Sequence, residues 1–475
     1  MAQCTYENFD ITIQGSGLPY MVTVAYRGQS AEGPFDQEIT LPQWQKFDDH
    51  AANPGQTNGK SPEIARHGSD LFRALIHGDV RDLWVTAQAE LDRRQVEGLR
   101  IRLILRPPAV AALPWEFLRD PDRRRALAAN KRILLVRMET LQRYVGPPRP
   151  LEATLPLKLL LALPTDPTGQ IDGLAEEAGI RAGLDSLSQG RINLITLTGR
   201  FDVLKLGEVL EKERPDIVHM VTHGLPGGIL LWQGDEPTLV SPDSLRTALE
   251  WTDSVKLVVL NACQSAKDPV QAPLASLGAQ LLQTGLPAVI AMQFPIQDQA
   301  AMRFAQLLYT SLMDGQCAGR VDAAVAQARS GLYALNNQEN HFGTPVLWLN
   351  SPDGVIFNLP PQDQPNGLGI PTPPDTPWIP AIPAKEIEIA PLLAWIDSLL
   401  QRSPGDFTGD LKWAATQQRQ LLGDLQNGLN QLQSLYRRRA QGDLVSPAIH
   451  KLEKTITDQQ TIVQRLETMI QAHLG

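Results

Sequence analysis

Apolar runs along the chain alternate with helical patterns between residues 157 and 350. The strand-like runs are LKLLLALP, INLITLTG, DIVHMVTHG, VKLVVLNAC, AVIAMQF and VLWLN, and helix-like segments separate most of them. A short hairpin candidate, GGILLW, follows the third run. Such alternation predicts right-handed βαβ crossovers and a mostly parallel sheet that helices cover on both faces. We therefore expect residues 151–359 to form an α/β domain.

Residues 1–150 have a different pattern. Four β-like stretches, FDITIQ, YMVTVAYRG, LRIRLIL and RILLVRM, are mixed with two helical stretches, near residues 70–75 and 85–93. This mixture predicts an N-terminal α+β lobe.

The end of the chain has two further patterns. Prolines are dense from residue 360 to residue 385, which excludes a helix there and predicts an extended linker. From Leu421 to Leu474, leucine and isoleucine recur at steps of three, four and seven residues, which predicts a helical bundle or coiled-coil hairpin within residues 386–475. This module either packs as a small bundle or binds a regulatory partner or a second copy of itself.

The composition fits a globular protein of several domains: 475 residues, 43% hydrophobic, 20% charged, with a formal net charge of -9. No apolar run approaches the roughly 20 residues that span a bilayer, and the N-terminus MAQCTYENFD is too polar for a secretory signal. The mild acidity argues against broad nucleic-acid binding. We interpret the basic run Arg123–Arg125 as a solvated surface turn.

The three cysteines, Cys4, Cys263 and Cys317, stand far apart in the sequence. Their spacing indicates neither a disulfide framework nor a metal cluster. We therefore expect a reducing compartment and a cytoplasmic location, with no metal and no cofactor.

Two of the apolar runs end in reactive side chains. VHMVTHG carries His223 at its end, and VKLVVLNAC ends at Cys263. Because chemistry gathers at the carboxyl ends of parallel strands, roughly 4.8 Å apart, these side chains are predicted to meet. Imidazole can deprotonate a thiol and return the proton to a leaving amine, so the pair suits nucleophilic catalysis by a thiolate.

The His-Gly pair, the NACQSA turn and the order of elements resemble the CHAT branch of the caspase-like cysteine peptidases, which are related to caspases, separase and metacaspases. Upstream, GSDLFRALIHGDVRDLW and ALPWEFLRDP are similar to the N-terminal half of that domain. The resemblance covers roughly residues 60–358. It implies a caspase-like α/β fold, with a mostly parallel sheet flanked by helices.

By this resemblance, His223 is the general base and Cys263 the nucleophile. The backbone N–H groups of Gly224 and Cys263 would form the oxyanion site. The related families commonly use a dyad, and no third group that orients His223 is identified from the sequence.

Three other residues of suitable type have weaker signals. His219 lies inside an apolar run, four residues before His223, and we interpret it as structural. Cys317 and His341 have no partner at motif spacing, so we expect core or surface roles for them.

Substrate preference is predicted from two positions. Relatives that cut after Arg or Lys place an aspartate two residues before the nucleophile, and here that position is Asn261. A neutral amide lacks the charge to pair with a basic side chain, which argues against strict basic specificity. Asp298, after the next strand, is interpreted either as an N-cap or as a substrate contact.

Two functions from different classes fit these observations. The first is a regulated cysteine endopeptidase that cuts specific protein partners; the resemblance implies a role in prokaryotic defence or programmed death. The second is a catalytically silent caspase-fold scaffold for protein assembly. A different thiol enzyme lacks support, because the sequence has no P-loop and no dinucleotide-binding glycine motif. The expected partners are a protein or peptide substrate, a regulatory protein at the C-terminal module and a homo-oligomer, with no membrane or nucleic acid.

Overall fold

A computed structural model of the chain describes most of its first 359 residues. The chain divides into two units, Met1–Pro361 and Gln362–Gly475, and the described residues belong to the first. The predicted linker (360–385) and the predicted C-terminal bundle (386–475) lie outside them. The described residues are 4–36, 62–93, 96–138, 151–168, 171, 173–185, 190–225, 227–263, 273–294, 296, 298–334 and 341–359.

The N-terminal part mixes strands and helices, as its pattern predicts. Its strands are β1 (Tyr6–Gln14), β2 (Tyr20–Tyr26), β3 (Gln29–Phe35), β4 (Gly98–Leu105), β5 (Arg119–Asp120), β6 (Arg125–Ala126) and β7 (Ile133–Arg137). Its helices are α1 (Pro62–Leu75), α2 (Gly78–Asp92) and α3 (Pro108–Ala111), and a 3-10 turn follows at Trp115–Phe117.

The following part alternates strands with helices. Its strands are β8 (Leu157–Pro164), β9 (Ile192–Gly199), β10 (Ile217–Leu225), β11 (Gly228–Gln233), β12 (Glu236–Val240), β13 (Leu257–Cys263), β14 (Ala288–Met292) and β15 (Pro345–Leu349). Its helices are α4 (Gly173–Asp185), α5 (Val203–Glu213), α6 (Pro242–Leu249), α7 (Pro273–Leu282), α8 (Asp298–Asp314) and α9 (Val321–Ala334), with a 3-10 turn at His341–Gly343.

Thirteen of the described strands form one mixed sheet. Its order is β12-β11-β10-β13-β14-β15-β7-β4-β1-β2-β3, and β8 and β9 join it at β10. The pairs β9-β8, β8-β10, β10-β13 and β13-β14 are parallel, whereas β15 runs antiparallel to β14. The predicted α/β class with a mostly parallel sheet is therefore confirmed. The N-terminal strands continue the same sheet through the pair β7-β15, and the boundary at residue 150 stays a prediction.

Apolar side chains cover both faces of the central strands. Along β10, Ile217 and Val221 pack in one hydrophobic cluster, and Val218 and Met220 pack in another. This division follows from the two-residue period of a strand. Helices α4, α8 and α9 contribute to the first cluster through Ile180, Leu308 and Ala324, and α5, α6 and α7 to the second through Leu206, Leu245 and Leu277.

Strand β3 and helix α9 are two of the longer described elements that have no counterpart in the predicted pattern. Strand β3 has the sequence QSAEGPF. It contains Gly33 and Pro34, two residue types that are depleted in strands, so its sequence does not predict a strand. Helix α9 reads VDAAVAQARSGLYA, and it is buried nearly all round, so its sequence has little amphipathic contrast. Both are held by tertiary contacts that a local pattern does not contain.

The expectation that the cysteines remain unpaired is wrong for two of them. Cys4 and Cys317 form a disulfide, with their Cα atoms 5.8 Å apart. A separation of 313 residues gave no sequence signal, because the fold alone brings the start of β1 to the loop after α8. The spacing argument for a reducing compartment is lost, and the cytoplasmic location stays a prediction.

None of the described helices is long and apolar enough to cross a bilayer.

A buried ion pair joins the N-terminal strands to helix α9. Arg100 of β4 donates through Nε to Asp322 Oδ2 at 2.6 Å, and the two side chains are 2% and 0% exposed. The same guanidinium also donates to Asn8 Oδ1 and to the Asp353 carbonyl. Each of its three nitrogens therefore has an acceptor, which offsets the cost of burying the charge.

Replacing Arg100 tests this junction. Arg100→Met removes the closer cation of the buried Asp322 carboxylate and leaves it only the longer pair with Arg320, at 3.9 Å, so the free energy of unfolding should fall by about 3 kcal/mol. The control is Arg73→Met, which breaks the exposed pair with Asp70 and should cost less than about 1 kcal/mol. Urea denaturation measures both values. Equal losses in the two variants would contradict the account.

Candidate active site

The pairing of β10 with β13 brings two of the predicted residues to facing positions. The strands are parallel and stay in register from Ile217–Leu257 to His223–Cys263, so that His223 lies opposite Cys263. Cys263 is the last residue of β13, and His223 lies two residues before the end of β10. Because residues alternate between faces of a strand, positions 223 and 263 also share one face of the sheet. The side chain of Cys263 lies outside what the structure describes.

On its other side, β10 changes partner just before it reaches His223. It pairs with β8 from Ile217 to Met220 and with β11 from Gly224 to Leu225. Strand β8 continues beside β9 to Pro164, and the loop that follows it lies next to His223. This loop supplies a group that the sequence analysis did not identify.

That group is Asp166, two residues after the end of β8. Its Oδ1 atom lies 2.8 Å from His223 Nε2, and both side chains are 5% exposed. The hydroxyl of Thr168 lies 3.0 Å from the same Nε2 and also reaches the carboxylate oxygens, at 2.9 and 3.0 Å. A carboxylate and a threonine therefore hold one nitrogen of the imidazole.

Backbone amides fix the carboxylate itself. The Thr168 amide donates to Asp166 Oδ1 at 2.8 Å, and the Ile171 amide donates to Oδ2 at 2.7 Å. Burial would raise the pKa of Asp166, but these hydrogen bonds, with those from the Thr168 hydroxyl and His223, lower it to about 2. Asp166 is therefore ionised at neutral pH.

This contact determines the tautomer of His223. An ionised carboxylate only accepts hydrogen bonds, so the proton must be on Nε2. The remaining ring nitrogen, Nδ1, is then the basic one. An Asp–His pair in this arrangement orients the imidazole and stabilises its protonated form.

The sequence around Asp166 contains a local turn signal. The residue follows LKLLLALP, the first strand of the α/β part, within TDPTG. Asp followed two residues later by a polar residue suggests a local turn, in which the carboxylate caps the backbone. The same carboxylate does both, capping the loop and holding His223.

The other predicted site residues are Gly224, Asn261 and Asp298, and the structure gives each of them a different environment. Gly224 pairs with Ile229 of β11. Asn261 is buried at 4% exposure, and its Oδ1 atom has no hydrogen-bond partner in the described part of the chain. Asp298 is the first residue of α8, and its side chain lies outside what is described. The oxyanion and substrate roles assigned to these residues therefore stay predictions.

The two remaining histidines of interest are buried. His219 pairs through Nδ1 with the hydroxyl of Tyr309 at 2.8 Å, and burial lowers the pKa of His219 to about 4. Burial also lowers the pKa of His341 to about 4. Both are neutral at physiological pH, in line with the core roles expected of them. Within the described ranges, no cluster of three His, Cys, Asp or Glu residues is arranged to hold a metal ion.

Comparison with solved structures finds partial matches at low sequence identity. The Saccharomyces cerevisiae separase chain of a separase-securin complex solved at 3.0 Å is 11% identical, with a TM-score of 0.41 over 72% of this chain and 30% of that chain. The structure of the same complex at 2.6 Å is 12% identical in sequence, with a TM-score of 0.38 over the same shares of the two chains. A secreted C11 cysteine protease from Bacteroides thetaiotaomicron, bound to an irreversible peptide inhibitor, is 14% identical, with a TM-score of 0.27 over 37% of this chain and 58% of that chain.

The chain thus spans less than a third of the separase chain that it matches. No curated protein matches it by sequence. The model of the CHAT domain family matches residues 66–357, which is more than half of the chain and includes His223 and Cys263. The resemblance seen in the sequence is confirmed, and the chain belongs to the CHAT domain family.

Proposed function

We propose that this protein is a cysteine endopeptidase that cuts specific protein partners with His223 as base and Cys263 as nucleophile. The observation that carries the proposal is the facing register of the two residues, together with the Asp166 contact that leaves Nδ1 of His223 basic. A protein that kept the fold for assembly alone would not need an ionised carboxylate on this imidazole.

The proposed reaction follows from these groups. His223 Nδ1 takes the proton of the Cys263 thiol, and the thiolate attacks the carbonyl carbon of the scissile peptide. Backbone N–H groups at Gly224 and Cys263 would stabilise the oxyanion. His223 then gives its proton to the leaving amine, and water releases the acyl group from the sulfur. Asp166 stabilises the imidazolium that forms in each half of the reaction.

The wider role is also a proposal. The membership of the CHAT domain family supports service as a regulated peptidase in a prokaryotic defence or programmed-death pathway. The C-terminal module would recruit a regulatory protein or a second copy of the chain. The sequence alone supports that part, because residues 386–475 lie outside the described structure.

The first test concerns the dyad. Cys263→Ala and His223→Ala should each abolish cleavage of a proteome-derived peptide library, with new termini detected by mass spectrometry. Melting temperatures should stay nearly unchanged for Cys263→Ala, since it removes one sulfur atom at a strand end. Asp243→Asn, on an exposed side chain, should cleave like the wild type.

A thiol probe makes the same test independent of any substrate. The disulfide uses two of the three cysteines, so without reductant iodoacetamide has Cys263 left to label. If His223 is the base, labelling near pH 6.5 should be about tenfold faster than in His223→Ala, because a cysteine thiol ordinarily has a pKa of about 8.5. Equal labelling in the two proteins, with no cleavage, would favour the scaffold function instead.

A second test concerns Asp166 and pH. Its pKa is lowered from 3.8 to about 2 in the folded protein, so it stabilises the fold above pH 3.8 and loses that effect as pH falls toward 2. The difference in unfolding free energy between wild type and Asp166→Asn should therefore shrink as the pH is lowered from 5 toward 3. Asp243→Asn controls for the loss of one charge. A difference that stays constant or grows would show that Asp166 is not held as described.

A third test concerns substrate preference. With the neutral Asn261 two residues before Cys263, a peptide library should show little preference for Arg or Lys before the scissile bond. Asn261→Asp should shift the preference toward these residues by adding a carboxylate. Because Asn261 is buried, the measured quantity is the ratio of cleavage between basic and neutral peptides in one sample. Asn193→Asp adds the same charge on β9 as a control, and strong basic selection by the wild type would contradict the prediction.

A further inference from the structure

Strand β11 contacts the residue that precedes each member of the Asp166–His223 pair. The hydroxyl of Thr222 donates to the Leu230 carbonyl at 2.6 Å. The indole Nε1–H of Trp232 donates to the Thr165 carbonyl at 2.7 Å. Thr222 and Thr165 immediately precede His223 and Asp166. One short strand therefore ties together the two chain segments that carry the pair.

Trp232 is held by burial, by a backbone hydrogen bond and by a cation stacked on its ring. Its side chain lies in the interior, and its backbone amide donates to the Phe201 carbonyl at 3.1 Å. The guanidinium of Arg200 stacks over the ring, 4.5 Å from its centroid, and forms an ion pair with Asp235 at 2.6 Å. A ring held in this way presents its N–H in one direction.

The backbone of the β11–β12 hairpin, which carries Trp232, is constrained at both of its ends. Gly234 has a φ of 61° at the first position of the two-residue turn between β11 and β12, which suits glycine. At the other end, a Cβ atom on Gly228 would lie 2.0 Å from the Val240 carbonyl oxygen. The hairpin therefore has little freedom to shift the indole relative to β10.

Thr165 connects the hairpin to Asp166. Its amide donates to the Gly199 carbonyl of β9 at 2.9 Å, and its own carbonyl accepts from Trp232. The carbonyl of Thr165 and the amide of Asp166 belong to one planar peptide group, so fixing that carbonyl fixes the start of the Asp166 loop. Loss of the indole N–H would leave this peptide held from the β9 side alone.

We propose that Trp232 is a positioning residue, which sets the Asp166–His223 contact through the Thr165 carbonyl and so determines how well His223 works as the base. This inference rests on the proposed function. In the proposal Trp232 touches neither the substrate nor the reacting atoms. It acts by holding the Asp166 carboxylate next to Nε2 of His223. In that position the carboxylate keeps the proton of the imidazole on Nε2.

The test separates a positioning role from simple filling of space. Trp232→Phe removes the N–H, and 3-benzothienylalanine at position 232 removes it while keeping the ring shape, so that folding is preserved. Trp232→His restores a ring N–H at the same distance from the backbone. Trp251→Phe, on the partly exposed tryptophan that follows α6, is the matched control.

The first readout does not need catalysis. In a Cys263→Ala background, ¹⁵N NMR of the ring nitrogens measures the fraction of His223 with its proton on Nε2, with the signal assigned by its loss in His223→Ala. This fraction should fall in the Phe and benzothienylalanine variants and recover in Trp232→His. Trp251→Phe should match the wild type.

The second readout is the rate of cleavage of a library peptide that the wild type cuts. The two variants without the N–H should lower kcat by about 10–100-fold with little change in KM, because misplacing a catalytic group by about 1 Å has an effect of this size. Trp232→His should recover most of the rate.

The outcomes distinguish the two proposals. Unchanged tautomer and unchanged kcat in the benzothienylalanine variant would overturn the role of Trp232. A changed tautomer in a protein whose wild type neither cleaves peptides nor labels at Cys263 would overturn the peptidase function and leave the positioning role standing.

Discussion

The change of partner along β10 is the constraint on which the candidate site depends. A strand that kept β8 beside it to its end would have its whole length paired, and no loop could approach His223 from that side. Because the pairing with β8 stops at Met220 and the pairing with β11 begins at Gly224, the loop after β8 reaches the imidazole between the two. The same strand keeps an unbroken parallel register with β13 on its other side. One edge therefore supplies the orienting acid and the other faces the cysteine.

The Asp166 carboxylate is held in place by its own loop. Two backbone amides and a hydroxyl already hold the Asp166 carboxylate, so its low pKa does not depend on His223 alone. An ionised, fixed carboxylate needs no reorganisation when charge develops on the imidazole during a reaction. Since the carboxylate is nearly buried, its hydrogen bonds also offset the free-energy cost of removing its charge from water.

Much of the fold followed from local pattern, and the site followed in part. The apolar runs that end at His223 and Cys263 predicted parallel neighbours, and the register between these two residues agrees. Asp166 was missed because its contact with His223 spans 57 residues and requires that β8 be the neighbour of β10. The disulfide between Cys4 and Cys317 was missed for the same reason, since strand order is a property of the whole sheet and no local pattern records it.

The N-terminal strands also decide which edges of the sheet remain open. Strand β15 pairs with β7, and β4, β1 and β2 continue the sheet, so the edges among the described strands are β3, β9 and β12. Edge strands invite pairing with another chain, and proline limits such pairing because it has no N–H. Strands β3 and β12 contain Pro34 and Pro237, whereas β9 contains no proline. Strand β9 ends at Gly199, whose carbonyl accepts from Thr165. Strand β9 is therefore the one edge strand of the described sheet without proline, and its last residue is hydrogen-bonded to the loop that carries Asp166.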